Sequence, residues 1–209
     1  MICLADNDII KKLAICDLLE ECLAVLDCGH SEMFVLPAAR FVLGVAKDPD
    51  KARARLGAAA FDRLADFLGK VPVIQQPPDP QEQRLFDDIV GIDAGEAILF
   101  SATAAFSDFI LATGDKRSLK ALSTMEGAEA ITGRLTGRVM CFEQIMVRIM
   151  NRYGFELLRN HAVPAVDCDI ALSAVFGSGL SAVEANVRHG FTSYIEHLRR
   201  ECGELLVAE

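Results

Sequence analysis

A chain of 209 residues, 52% apolar and 24% charged, is long enough for one large domain, or for a core of about 150 residues with an appendage, and too rich in apolar residues to stay disordered. Its formal net charge of −9 excludes a broadly basic nucleic-acid-coating surface, so any phosphate-bearing partner must meet segregated basic residues or acids neutralised by metal ions. No apolar run reaches the ~18 residues that a bilayer crossing needs, and MICLADNDIIKK lacks a basic segment ahead of an apolar stretch, so a soluble chain without a secretory leader is expected.

Residues 1–5 (MICLA) read as a short buried strand that ends at Asp6 and runs straight into one helix, IIKKLAICDLLEECLAVL, with apolar residues at helical spacing. Residues 33–36 begin a second strand-helix unit, with Pro37 suited to the first turn of the helix AARFVLGVA. Asp48-Pro49 starts an Ala-rich helix that reaches Gly69, and VPVI at 71–74 is a further strand candidate. QQPPDPQEQ is the strongest break in the chain and reads as a loop inside the domain, with Asp79-Pro80 opening a helix up to about residue 90. A helix from Ala94 to Phe106, the strand FILAT (109–113), a helix from Lys116 to about Met125 and the strand RVMCF (138–142) complete an alternating pattern. Strands that alternate with helices imply parallel pairing, hence a three-layer α/β/α domain with a mostly parallel central sheet over residues 1–150. Residues 151–209 read as a helical extension without a strand, hinged at Val163 to Asp167; its last helix is started by a Ser181-x-x-Glu184 capping box and offers a surface for dimerisation or a partner.

Seven cysteines, an odd number without CxxC pairs, read as reduced and mostly buried thiols of a cytoplasmic protein, and no Cys or His pair has zinc-like spacing. His30, His161, His189 and His197 pair with no Ser or Cys at a strand end.

In an open parallel sheet, ligands bind beyond the carboxyl ends of the strands. Asp6 and Asp8 close the first strand, Asp115 closes FILAT, and Glu96 opens the helix before it. Oxygen-only ligands of this kind suit Mg²⁺ or Mn²⁺. Each acid also has a local reading: Asp6 as an N-cap, Asp93-Ala-Gly-Glu96 as a capping box, Asp115 as the start of its helix.

LADNDIIKKL resembles the opening of PIN-domain nucleases, and GIDAGEAILFSATAAFSDFILATGDKRSL is similar to their second half, where an acid opens a helix of small residues and the next strand ends in Thr-x-Asp. The resemblance covers roughly residues 1–145 and falls on Asp6, Asp8, Glu96 and Thr113-Gly114-Asp115. It implies a metal-dependent ribonuclease, toxin-like in type, with Asp6, Glu96 and Asp115 as catalytic acids, Asp8 as a further ligand to Mg²⁺ or Mn²⁺, and Thr113, Lys116 and Arg117 meeting RNA. It also raises an inhibitory protein partner; the C-terminal helices, which lie outside the resemblance, offer a surface for a homo-oligomer. Lys47, Lys51, Arg53 and Arg55 form a second basic cluster able to meet a backbone, or simply a solvated helix face. The chain departs from the pattern at the second helix, where LPAARFVLG carries Arg40 and no carboxylate. A degenerate PIN-like interaction module is therefore one alternative. A haloacid-dehalogenase-type phosphatase is the other, since Asp6-Asn7-Asp8 also matches a nucleophile-acid pair, although Ile9-Ile10-Lys11 replaces the residues usual after it.

Overall fold

In the computed structural model, which describes residues 1–75, 79–86 and 89–208, the apolar run Ile2–Ala5 forms β1. Cys3, Leu4 and Ala5 are fully buried, as a central parallel strand requires. Asp6 turns the chain into α1 (Asn7–Cys16). The single helix expected over residues 9–26 divides here, because Asp17 takes a left-handed conformation (φ 56°) that ends α1 before α2 (Leu19–Val25) begins. Asp tolerates that region better than most residues.

β2 (Met33–Val35) is followed by α3 (Ala39–Val42), so Pro37 lies ahead of the helix rather than in its first turn. α4 (Pro49–Leu56) is capped by Asp48, which accepts a hydrogen bond from Lys51 N at 3.2 Å. α5 (Ala58–Lys70) is separate from it, because Gly57 adopts φ 86°, a conformation open chiefly to glycine, and breaks the continuous helix expected there. The expected strand at 71–74 shrinks to one parallel bridge between Val73 and Val35; Pro72 has no N–H to extend the ladder.

Residues 76–78 of the expected loop, and residues 87 and 88 of the helix expected up to residue 90, lie outside the described residues; α6 spans Pro80–Phe86. α7 (Ala94–Ala102) gives way to a 3₁₀ turn at Thr103–Ala105, short of the expected Phe106. Then come β3 (Phe109–Ala112), α8 (Lys116–Ser123), an unforeseen α9 (Glu129–Leu135) and β4 (Val139–Met140).

Among the described residues the strands form a four-stranded, all-parallel sheet in the order β2-β1-β3-β4, with Leu4 opposite both Phe34 and Leu111, and Ala112 opposite Met140. The order reverses direction at β1, and by the general right-handed rule for parallel crossovers the connecting helices fall on opposite faces, an arrangement consistent with an α/β/α sandwich. Because every strand runs the same way, the residues that follow β1, β3 and β4 emerge along one edge.

The C-terminal part consists of α10 (Phe142–Tyr153), α11 (Phe155–Ala162), a 3₁₀ segment Val163–Cys168, α12 (Ile170–Val175) and α13 (Glu184–Cys202). One apolar cluster runs from Cys3 to Val207, and Phe176 stacks on Phe155 at 6.5 Å and meets Phe191 edge-on at 6.2 Å. One expectation fails here. The capping box does not form: Ser181 ends a 3₁₀ turn, and Val183, with no capping side chain, precedes α13. The tail adds no strand among the described residues, as expected, but Leu206 makes an isolated parallel bridge to Val139 and Val207 N donates to Val139 O at 2.8 Å, covering the exposed edge of β4. All seven cysteines are free thiols. Among the described residues, no helix is long and apolar enough to cross a membrane.

Gly190 shows how closely α13 approaches α12: a Cβ there would lie 2.5 Å from Val175 Cγ1, and the β-branched valine has little freedom to move aside. Gly190→Leu is expected to destabilise the fold by about 2 kcal/mol through overpacking, despite a helix-propensity gain of about 1 kcal/mol. Urea unfolding measures it; an unchanged midpoint would show that the two helices do not pack at this point.

Candidate functional site

The carboxyl edge of the sheet opens into a cleft of roughly 1690 Å³ between α1, α7, α8 and the segment 164–173. Drug-sized ligand pockets are about 300–1,000 Å³, so the cleft has the dimensions for an extended substrate. Asp6, Asp8, Glu96 and Asp115 all line it, together with Lys116 and Arg117.

Asp6 sits where strand becomes helix. Its Oδ1 accepts from Asp8 N at 2.9 Å, and its Oδ2 accepts from Gly114 N at 3.3 Å and Thr113 Oγ1 at 3.4 Å, tying the end of β1 to the end of β3. The capping and site readings of Asp6 are thus compatible. Burial raises its pKa, partly offset by these three donors. Thr113 in turn accepts from Asp115 N at 3.1 Å, so its role is to hold the two aspartates in place.

Asp115 caps α8, accepting at Oδ1 from Arg117 N at 2.8 Å and Ser118 N at 3.1 Å. Glu96 completes the capping box of α7, with Oε2 accepting from Asp93 N at 2.6 Å. The Glu96 and Asp115 carboxyls are also within hydrogen-bonding reach of each other across the cleft. Burial, and then the contact with Asp115, push Glu96 up to about 8. Burial acts on Asp115 too, but hydrogen bonds from Arg117, from protonated Glu96 and from the helix amides outweigh it and hold Asp115 low. The two carboxyls share one proton.

Asp8 points along α1 to its own helix: Lys11 Nζ is 2.7 Å from Oδ1 and Lys12 Nζ is 2.5 Å from Oδ2. Burial would raise its pKa; the two lysines more than compensate and lower it. Lys116 is engaged by Glu143 at 2.5 Å and lies 4.9 Å from the Tyr194 ring centroid, whereas Arg117 projects outward, its side chain 86% exposed. Of the second basic cluster, Arg55 lines the cleft and Arg53 pairs with Asp62.

Three charged residues of the cleft escaped the sequence reading: Lys12, Glu143 and Asp169. Glu143 had a signal, since it directly follows the strand expected at 138–142 and so occupies the same kind of strand-end position as Asp6 and Asp115. Asp169 had none, because nothing in a helical tail announces which residue reaches back to α1.

The donor chemistry fits a hard divalent cation. Asn7 Oδ1, beside Asp6 in the cleft, is buried and accepts no hydrogen bond among the described residues, and Glu96 and Asp115 must share a proton where a cation would serve both. In this conformation, no three acids, histidines or cysteines among the described residues converge on one point, so binding requires side-chain movement. Compared with known proteins, the chain matches no family model, no curated protein and no solved structure.

Proposed function

We propose that the chain is a Mg²⁺- or Mn²⁺-dependent ribonuclease of the PIN-like type, toxin-like in its chemistry, with Asp6, Glu96 and Asp115 as its catalytic metal-holding acids. The observation that carries this reading is the Glu96–Asp115 carboxyl pair, which lines the same cleft as Asp6 at the carboxyl edge of a parallel sheet. Two carboxyls brought into contact at the cost of a retained proton are a common mark of a functional site.

A bound ion would supply an acidified water and positive charge for the phosphate oxygens. No protein nucleophile is then needed. Asp6 is oriented by Thr113 and Gly114, and Asn7 Oδ1 offers a neutral oxygen next to it. Arg117 at the rim and Arg55 on the wall provide guanidinium groups for the RNA backbone, localising positive charge in a chain whose net charge is −9. Purified protein with Mn²⁺ is expected to cleave single-stranded RNA, and to stop when EDTA is added. RNA left intact with Mn²⁺ present would remove this function from consideration.

A second reading, a PIN-like interaction module without catalysis, is favoured by the lysines that neutralise Asp8 and Glu143. Exposed Ile170, Leu180 and Val183 would give such a module an apolar surface on its C-terminal part for a protein partner or a second copy. A thermal midpoint unmoved by millimolar Mg²⁺ and Mn²⁺ selects this reading.

A further inference from the structure

Lys12 is the least expected group in the cleft. It stands one helical turn after Asp8 on α1, so its side chain folds back towards the N-terminus of that helix and meets Asp8 Oδ2 at 2.5 Å. A second carboxylate reaches it from the C-terminal part of the chain: Asp169 Oδ2 is 2.7 Å from the same ammonium, while Asp169 Oδ1 caps α12 by accepting from Ala171 N at 2.8 Å and Leu172 N at 3.1 Å. The Phe142 ring centroid lies 5.3 Å away. Lys12 is only 9% exposed, and with two carboxylates against it the buried amine stays charged.

Its position is next to the metal-holding acids. A Cβ built on Gly114 would lie 3.1 Å from Asp8 Oδ2 and 3.6 Å from Lys12 Nζ, so the ion pair packs over the backbone at the end of β3, one residue before Asp115. Two-metal phosphodiesterases need carboxylates for a pair of ions about 3.5–4 Å apart. Here the acids free to serve a second ion are already neutralised: Asp8 and Asp169 by Lys12, Glu143 by Lys116. Among the described residues, no cation pairs with Asp6 or Glu96, and Asp115 is paired at 3.2 Å only with Arg117, whose side chain is 86% exposed and can turn away to solvent.

We propose that Lys12 is a built-in cation standing in for a second divalent ion, restricting the centre to one metal, and that Asp169 is the positioning residue that clamps it there. This rests on the metal-dependent reading above and goes beyond it by assigning stoichiometry. A fixed positive charge packed against Gly114 repels a second dication, and it carries no exchangeable water, so water activation is left to the single ion.

The test is Mn²⁺ titration of the full chain, counting bound ions by the loss of the free-ion electron paramagnetic resonance signal. Wild type is expected to take up one Mn²⁺, Lys12→Arg one, and Lys12→Met two, since loss of the ammonium frees Asp169 Oδ2 and Asp8 Oδ2 to bind while Lys11 stays on Asp8 Oδ1. Two ions in wild type or in Lys12→Arg overturn the proposal, as does a single ion in a folded Lys12→Met protein. If Lys12→Met fails to fold, Lys12→Gln, which removes the charge but keeps a polar group between the two carboxylates, takes its place with the same two outcomes. No ion bound to wild type overturns the metal-dependent reading itself, and this inference with it, whereas two ions sink only the inference.

Discussion

Replacing Asp6 by asparagine is expected to lower Mn²⁺-dependent cleavage of RNA by roughly 10²–10³-fold, equivalent to several kcal/mol of charge stabilisation at about 1.4 kcal/mol per factor of ten. The fold should survive. Asparagine caps helices about as well as aspartate, so the hydrogen bond from Asp8 N is kept. On the other side of the side chain, the amide NH₂ would face the donors Gly114 N and Thr113 Oγ1, a loss of about 1 kcal/mol. Removal of a buried carboxylate whose pKa burial has raised offsets part of that loss near neutral pH. Two measurements separate the roles: cleavage rate, and the rise in thermal midpoint on adding Mn²⁺. Asp6→Asn protein that cleaves at the wild-type rate would show that Asp6 is a helix cap and nothing more.

Between pH 6 and pH 8 the apparent Mn²⁺ affinity is expected to rise by about two orders of magnitude, up to tenfold per pH unit, and then to level off. The cause is the proton shared by Glu96 and Asp115, which must leave before both carboxyls can face a cation. Burial, and then contact with Asp115, raise the folded-state pKa of Glu96 from the ordinary 4.5 to about 8. The sign for stability follows from the direction of that shift. A carboxyl raised in the folded state contributes stability that is complete below its unfolded value of 4.5 and is lost as pH climbs through about 8. Metal-free protein should therefore lose stability from pH 5 to pH 9, by an amount on the order of a few kcal/mol, and Mn²⁺ should restore it most at the alkaline end. Glu96→Gln removes the titrating proton and should flatten both profiles. Thermal midpoints measured with and without Mn²⁺ across this range check the effect; an affinity flat from pH 6 to pH 8 would mean that the pair does not hold the ion.

How far the sequence could be read depended on whether the deciding forces were local. The switch at Asp6 from an apolar run to helical spacing, and the same switch at Asp115, place both acids at strand ends, and the structure puts β1 beside β3 with Asp6 bonded to Thr113 and Gly114. The helix breaks were less legible. Asp17 and Gly57 interrupt runs whose apolar spacing continues smoothly through them, because a positive φ at one residue re-aims the following helix onto the core without altering the periodicity. The capping box at Ser181 failed in the opposite sense: its local preference was present, but a preceding 3₁₀ turn used the residue instead.

The sequence by itself determined the parallel α/β sheet and the strand-end placement of Asp6 and Asp115, because alternating strands and helices leave few connections and all of them bring the carboxyl ends to one edge. Only the tertiary structure decided which charges meet there. Lys12 and Asp169 are 157 positions apart in the chain yet 2.7 Å apart in space. That encounter is set by how the segment 163–175 packs against α1, and an electrostatic contact between distant residues leaves no periodic trace in either one's neighbours.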